Sequence, residues 1–436
     1  MGGGRRPGAE RFPSRLLGAT VAVWCALAGA VQAEGYRFAA LADSVGGASF
    51  GLTGFHLGPW PLDMVPGSAS GRSTGMRVLG AQAGYGFSVP LDRGNGATAD
   101  TWLELGGSFA RAQGASRIVS RHEGAGGLSM NSGQQPDGII SLNTQIDLDG
   151  ALAEGRVSVS DPNGSSASID GYAFSPTGGG GKITQHAFSP TGNSGAFLAL
   201  TTDVDAPSAA AYGVIYDPSG FQFAATGNVE AAQVDERVSE SFAYDSHNAL
   251  VSTRLSSAGG WSVRLRGGPT LRHLSRRSVT ATGIEIEPTV GGANLPGIEL
   301  TQSDRITARY LGAIAGVSLS RALDPRTSLS LDLRAGLAAY RGNHRRRAMV
   351  AIGALGSGGH VENAAPIRGT SGIGSLSVSL SRVVARNTVV SLGLSGEHVS
   401  NVPTLRATSG KAGRKLELGS RSMTGMSFSI RLSRRF

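Results

Sequence analysis

The C-terminal segment of the chain places the tightest constraint on its fold. From Gly425 onward, glycine, serine and arginine occupy the odd positions and, with Arg434 as the exception, the even positions are apolar: Met426, Phe428, Ile430, Leu432 and Phe436. Because successive side chains of a β-strand point to opposite faces, this period of two predicts one apolar and one polar face. An amphipathic helix would need a period near 3.6. The chain is therefore expected to end on a two-faced strand.

The same alternation recurs along the C-terminal half and at two earlier places. It covers residues 79–89, 103–109, 261–265, 311–319, 329–337, 376–380 and 390–394. The connections alternate in length: 257–260, 322–327 and 386–387 are short, whereas 274–304, 342–371 and 400–421 are long. Segments of about 10 alternating residues joined by alternately short and long connections are typical of transmembrane β-barrels.

The N-terminus carries an export pattern. Four arginines (Arg5, Arg6, Arg11 and Arg15) precede an apolar run over 16–30, and small or aliphatic residues lead up to Ala33. This order predicts a secretory signal peptide over residues 1–33. The chain has one cysteine, which excludes a disulfide framework and a cysteine-based zinc site. Its hydrophobic content of 40% is too low for a polytopic helical membrane protein.

The closing strand resembles that of Gram-negative outer-membrane β-barrel proteins. In that family, the terminal aromatic residue and alternating apolar residues form the signal that the barrel-assembly machinery recognises. Phe428, Ile430, Leu432 and Phe436 match that signal, and Arg434 departs from it. The resemblance implies an all-β, antiparallel transmembrane barrel over residues 34–436, with short periplasmic turns, long outer loops and both termini in the periplasm. It also implies outer-membrane lipid and the assembly machinery as partners.

The number of strands depends on residues 114–244. Ten wall strands follow from the seven alternating segments, the closing strand, a strand before the short connection 257–260 and a further strand within 36–55. The middle segment holds further short β runs. It is either a surface module or a source of extra wall strands, with the hairpin over 209–226 as the best wall candidate. We favour twelve strands, with ten and fourteen open.

Charged residues on the polar faces of the strands are candidates for lining the lumen. They are Arg264, Arg266, Arg334 and Arg431, with Glu104, Asp332 and Glu397. Two interpretations remain open. The charges form ion pairs in a packed interior, or they line a water-filled pore whose cationic wall favours anions.

The densest basic cluster lies in a predicted outer loop. Arg341, Arg345, Arg346 and Arg347 are candidates for contact with lipopolysaccharide phosphate, since arginine binds phosphate in a bidentate manner. A solvated loop flank is the alternative. Some aromatic residues near the strand ends are interpreted as anchors at the membrane interfaces: Trp102, Trp261, Tyr85, Tyr310, Tyr340 and Phe436.

Chemistry-bearing motifs are weak. The stretch Gly47–Gly51 matches the nucleophile-elbow motif Gly-x-Ser-x-Gly, but no helix follows it, so we interpret the match as chance. No catalytic residue, metal site or cofactor is expected. Nucleic acid is not an expected partner. We expect an outer-membrane protein that is either a porin-like passive channel or a structural surface protein. The alternatives are an adhesin or surface-recognition protein acting through residues 114–244, and an autotransporter-type translocator.

Overall fold

The protein is all-β. The computed structural model describes residues 44–56, 77–90, 101–123, 127–133, 138–147, 152–161, 164–174, 182–190, 194–202, 208–217, 220–258, 260–288, 295–353, 357–410 and 413–435. No helix in these ranges has the length and apolar character needed to cross a bilayer. The predicted signal peptide over 1–33 and the terminal Phe436 lie outside the described residues.

Eighteen strands are described, and they fall into one barrel and two smaller sheets. In chain order they are β1 (Val45–His56), β2 (Arg77–Pro90), β3 (Thr101–Glu123), β4 (Gly127–Gly133), β5 (Ile139–Asp147), β6 (Leu152–Ser160), β7 (Ser166–Phe174), β8 (Lys182–Phe188), β9 (Ser194–Thr201), β10 (Ser208–Asp217), β11 (Gly220–Gly227), β12 (Val229–Ala258), β13 (Trp261–Pro288), β14 (Ile298–Ala322), β15 (Thr327–Ile352), β16 (Ser357–Ala385), β17 (Thr388–Gly410) and β18 (Gly413–Arg435).

Ten antiparallel strands close into a barrel. Their order is β1, β18, β17, β16, β15, β14, β13, β12, β3 and β2, and β2 pairs with β1 again. The closing seam between the first and last strands runs from Val45 opposite Arg435 to His56 opposite Thr424. The all-β barrel class is confirmed, and the wall has ten strands, the lower end of the predicted range rather than the preferred twelve.

The two ends of the barrel differ in their connections. At the turn end, which holds Val45 and Arg435, residues 259–260, 323–326 and 386–387 join neighbouring strands. The opposite end, which we call the module end, was predicted to carry long loops over 274–304, 342–371 and 400–421. Most of those residues are strand instead, and the connections are only 289–297, 353–356 and 411–412. Beyond the apolar belt, many outward positions are polar or charged, such as Arg341, Asn343 and Arg345 on β15, so the alternation of hydrophobicity weakens although the strands continue.

The inserted segment is a β-sandwich, which we call the module. It spans 124–228, because residues 114–123 belong to β3 and 229–244 belong to β12. One sheet has the order β4-β11-β10-β9-β8 and the other β5-β6-β7. Their shared core includes Val157, Ile169, Leu198, Leu200 and Ile215. None of the described module strands joins the wall, so the hairpin over 209–226, predicted as the best wall candidate, lies inside the module instead.

Candidate functional site

The interior of the barrel is organised in layers, and the layer nearest the turn end is a charged cup. Arg266 of β13 lies 2.5 Å from Asp332 of β15 and 3.4 Å from Glu104 of β3. Arg334 lies 4.0 Å from Asp332. Arg264 places its guanidinium 5.9 Å from the centre of the Trp102 ring. Arg264, Arg266 and Arg334 therefore face the interior, and four charged groups form one network: Arg266, Arg334, Asp332 and Glu104.

Small residues make room for these long side chains. On β16, β17 and β18 the inward positions are mostly serine, and Ser395 and Ser427 hydrogen-bond at 2.6 Å. Arg431 extends across the glycines of β1 and β2: a Cβ atom built on Gly86 would collide with its guanidinium. The cup holds four arginines against two carboxylates (Arg264, Arg266, Arg334 and Arg431 against Glu104 and Asp332), so it carries an excess of positive charge.

Glu397, the remaining predicted lumen residue, lies in a separate polar contact. It accepts a hydrogen bond from the Tyr244 hydroxyl at 2.6 Å and pairs with Arg272. Arg272 also donates to the Tyr244 hydroxyl at 2.6 Å. Arg272 and Tyr244 are both buried. This polar group therefore borders the apolar layer described next, to which Tyr244 also belongs.

A packed apolar layer crosses the lumen above the cup. Every wall strand contributes to it, and its members are Phe55, Val78, Ala110, Ala112, Phe242, Tyr244, Leu274, Ala308, Tyr310, Ala338, Tyr340, Ile373, Val399, Val402 and Met423. The most exposed of them, Tyr340, is only 7% exposed. Rings meet at 4.7 Å between Phe55 and Phe242 and at 5.1 Å between Tyr310 and Tyr340. Because all of its members are buried, this layer separates the cup from the module end.

The side-chain directions correct the interpretation of three aromatic residues. Tyr310 and Tyr340 were expected to anchor the wall at a membrane interface, and both point inward and are buried. Trp102 contacts the inward-facing Arg264. Tyr310, Tyr340 and Trp102 occupy even positions on β14, β15 and β3, as do the inward-facing Arg264 and Arg334 on their strands. The even position alone could have predicted that these rings point inward.

A buried ion-pair layer lies between the apolar layer and the module. Asp304 of β14 accepts hydrogen bonds from Arg346 at 2.8 and 3.2 Å, and it contacts His344 Nε2 at 2.8 Å. Arg276 pairs with Glu240 between β13 and β12. Burial raises the pKa of Asp304, but the contacts with His344, Arg346 and Gln302 together outweigh it, so the pKa lies below its ordinary value of 3.8.

The module packs against the inner face of the barrel at its own end. Phe197, Tyr212 and Phe223 of its five-stranded sheet pack with apolar residues on the inner face of β12 to β15, such as Leu300 and Val350. All five are buried. The Tyr212 hydroxyl donates a hydrogen bond to the Pro296 carbonyl at 3.1 Å. The module is therefore seated in the mouth of the barrel rather than beside it.

The outer surface of the barrel carries a continuous apolar belt. Every wall strand exposes at least one large apolar residue there, and each member is at least 39% exposed: Phe50, Leu52, Leu79, Leu105, Val251, Leu265, Leu271, Leu311, Leu333, Leu337, Leu376, Val378, Leu380, Leu392, Leu394, Met426, Phe428, Ile430 and Leu432. A patch of this size on a protein surface marks contact with another apolar phase. Phe428, Ile430 and Leu432 of the predicted assembly signal belong to this belt.

The predicted lipopolysaccharide contacts divide by strand parity. Arg341, Arg345, Arg346 and Arg347 lie on β15 rather than in a loop. Arg341, Arg345 and Arg347 are exposed, whereas Arg346 is only 4% exposed. Arg346 is therefore a correction to the prediction: it points inward and binds Asp304, since even positions of β15 face the interior.

Comparisons with known proteins give no closer assignment. No family model matches the chain, and no curated protein matches it. Among solved structures, the chain is similar to the outer membrane protease OmpT of Escherichia coli, with 8% identity, 90% of this chain and 97% of that chain covered, and a TM-score of 0.32. It is also similar to a FadL homologue of Pseudomonas aeruginosa (8% identity, 90% of each chain, TM-score 0.21) and to the P. putida toluene transporter TodX (9%, 90% of each chain, 0.22). At these TM-scores the fold assignment rests on the strand pairing itself.

Proposed function

We propose that the chain is an outer-membrane β-barrel protein of a Gram-negative bacterium that displays the module at the cell surface, as a structural or surface-recognition protein. The observation that carries this proposal is the apolar layer across the lumen. A passive channel needs a continuous path for water and ions, and the buried rings of Phe242, Tyr310 and Tyr340 occupy that path. The module packs against the inner face of β12 to β15 on the far side of that layer.

The belt and its rims support placement in a bilayer. On β14, the outward apolar residues lie between Arg309 and Arg321, which are both exposed. These arginines are twelve residues apart, about 40 Å along a strand at roughly 3.3 Å per residue. With the tilt of about 40° usual in such barrels, they are about 30 Å apart along the axis, enough to flank an apolar band of about 25 Å. Arg321 also lies 5.7 Å from the Trp261 ring, an arrangement suited to an interface.

The difference between the two ends of the barrel supports one orientation, because the module and the strand extensions beyond the belt lie at the module end. In barrels of this class, short turns face the periplasm and longer segments face outward. The turns at 259–260, 323–326 and 386–387 then lie in the periplasm together with Val45 and Arg435. The module end lies at the cell surface.

The porin-like channel remains the competing proposal, and the positive cup is the observation in its favour. Arg264, Arg334 and Arg431 would attract anions into the cup from the periplasm. The cup ends at the apolar layer, so anions would accumulate there without crossing. An autotransporter-type translocator is less well supported, because wall strands β1, β2 and β3 precede the module in the chain.

The expectations about catalysis, cofactors, nucleic acid and assembly remain predictions. The absence of enzymatic activity, of a cofactor and of nucleic-acid binding is untested, and recognition by the barrel-assembly machinery also remains a proposal. In the part of the chain that the structure describes, no group of three or more His, Cys, Asp or Glu side chains is arranged to hold a metal ion.

Surface labelling of intact cells tests the proposed orientation. If the signal peptide is removed after Ala33, the mature chain lacks cysteine, so single cysteines can be introduced cleanly. We choose S168C on exposed strand β7 of the module and R386C in the β16–β17 turn. A membrane-impermeant maleimide should label S168C on intact cells and R386C only after permeabilisation. The reverse pattern would contradict the orientation, and labelling of both sites in a soluble fraction would contradict the membrane assignment.

A further inference from the structure

Arginines on the outside of the barrel face each other across neighbouring strands. Just beyond the apolar belt, towards the module end, Arg309 of β14 lies directly opposite Arg341 of β15, and Arg341 lies opposite Arg368 of β16. One step further out, Arg277 of β13 lies opposite Arg305 of β14. All five are exposed. We call these five residues the arginine patch.

Such an arrangement is unfavourable without a counter-ion. Like charges directly opposite on neighbouring strands destabilise a sheet. Among the described residues, no carboxylate forms an ion pair with any member of the arginine patch. The arrangement therefore calls for anionic groups from outside the chain.

The adjacent strands β12 and β3 show how this chain satisfies outward arginines with its own carboxylates. On β3, Arg111 lies 2.5 Å from Asp245, and Arg117 lies 2.8 Å from Asp235 of β12. Arg121 lies 2.6 Å from Glu287. The arginine patch is therefore a local departure within one surface, confined to strands β13 to β16.

The height of the patch identifies the anion. Arg309 and Arg341 are the first outward charged residues after Leu311 and Leu337 of the apolar belt, which are 67% and 73% exposed. Acyl chains lying against those leucines would place their headgroup phosphates at the level of the arginines. Guanidinium groups bind phosphate through two parallel hydrogen bonds, and several guanidinium groups in two rows suit a headgroup that carries more than one phosphate.

We infer that the arginine patch binds a multiply phosphorylated glycolipid of the outer leaflet, that is, the lipid A part of lipopolysaccharide. This inference rests on the proposed outer-membrane placement. The arginine patch differs from the predicted lipopolysaccharide contacts because it is a strand surface rather than a loop. Arg341 belongs to both sets, and Arg346 is excluded because it is buried. The patch adds Arg277, Arg305, Arg309 and Arg368. The patch would fix lipid on one side of the barrel only.

The test measures lipid binding to the full-length mature protein by native mass spectrometry in detergent. The probe is bis-phosphorylated lipid A, compared with the same lipid after removal of both phosphates and with phosphatidylglycerol. The patch variant is R309Q/R341Q/R368Q. Its matched control, R321Q/R382Q/R434Q, removes the same charge from exposed outward positions at the turn end. Resistance of the folded band to unfolding in SDS confirms that each variant forms a barrel.

We expect the wild type and the control variant to bind lipid A equally and the patch variant to bind it at least about tenfold more weakly. Dephosphorylated lipid A should bind weakly to all three proteins. Equal binding of lipid A by the patch variant and the wild type would overturn the inference, as would equally tight binding of phosphatidylglycerol. Failure of the wild type to insert into vesicles would refute the proposed function itself, whereas insertion without lipid A preference would refute only the inference.

Discussion

Truncation of Phe242 should weaken the barrel without opening it. Phe242 is 2% exposed in the apolar layer, and its ring centre lies 4.7 Å from that of Phe55 and 6.3 Å from that of Tyr244. Phe242→Ala removes the whole ring from a site that cannot collapse, because the ten-stranded wall is closed around it. We expect a loss of about 3–5 kcal/mol in the free energy of unfolding.

The cavity left by this change should stay dry. Removal of the ring opens space on the order of 100 Å³, and an apolar cavity of that size does not hold water. The variant should therefore be as silent in a planar bilayer as the wild type. Phe242→Leu is the matched control: it removes three of the six ring carbons and should cost about half as much, at roughly 0.8 kcal/mol per lost carbon plus a smaller cavity term.

Urea unfolding of the refolded protein in lipid vesicles, followed by tryptophan fluorescence, measures both losses. The order wild type, Phe242→Leu, Phe242→Ala is the expected order of decreasing stability. A loss below about 1 kcal/mol for Phe242→Ala would show that the ring is not enclosed, because fully buried Phe→Ala changes cost several times more. That result would refute the closed apolar layer.

Three further predictions concern the cup, the ion-pair layer and the wall. Asp332→Asn should cost about 1–3 kcal/mol in urea unfolding, because it leaves the half-buried Arg266 with a weaker partner; an unchanged midpoint would contradict the cup network. The lowered pKa of Asp304 means that its stabilising effect is complete above its ordinary pKa of 3.8 and is lost as the pH falls below that value. Unfolding midpoints of the wild type should therefore drop as the pH falls below 3.8. The midpoint of Asp304→Asn should fall less steeply and keep the dependence that comes from Asp235 and Asp324, whose pKa values are also lowered; equal slopes for the two proteins would contradict this role of Asp304. Finally, a Cβ on Gly80 would collide with a backbone carbonyl of β3, whereas one on Gly374 would meet nothing within 4 Å. Gly80→Ala should cost about 1–3 kcal/mol and Gly374→Ala close to nothing, and comparable unfolding midpoints would argue against the close approach of β2 and β3.

The sequence is most informative where two environments differ sharply. Along 376–380, leucine and valine alternate with serine because one face meets the belt and the other the lumen, and this contrast predicts both strand and orientation. The same parity predicts that Arg264, Arg266, Arg334 and Arg431 point to the interior, which is where the structure places their side chains. The parity could also have predicted that Arg345 points outward and Arg346 inward, because Arg345 and the outward Leu337 both occupy odd positions. This prediction was missed because the segment was expected to be a loop.

The remaining features depend on contacts distant in sequence. Beyond the belt both faces of the long strands are polar or mixed, so residues such as Asp304 and Arg276 give no period of two in hydrophobicity. The apolar layer combines single residues from ten strands, for example Val78, Leu274 and Met423, and no local pattern reports that assembly. The seating of the module likewise follows from packing between residues more than a hundred positions apart, such as Phe197 and Val350.

The most direct test of the central claim is the single-channel conductance of the purified, refolded wild-type protein in a planar bilayer under a salt gradient. The packed layer around Phe242, Tyr310 and Tyr340 predicts a folded, inserted barrel that passes no steady current. Regular ohmic steps with an anion-biased reversal potential would contradict it, and would make the arginine-lined cup the entrance of an open pore.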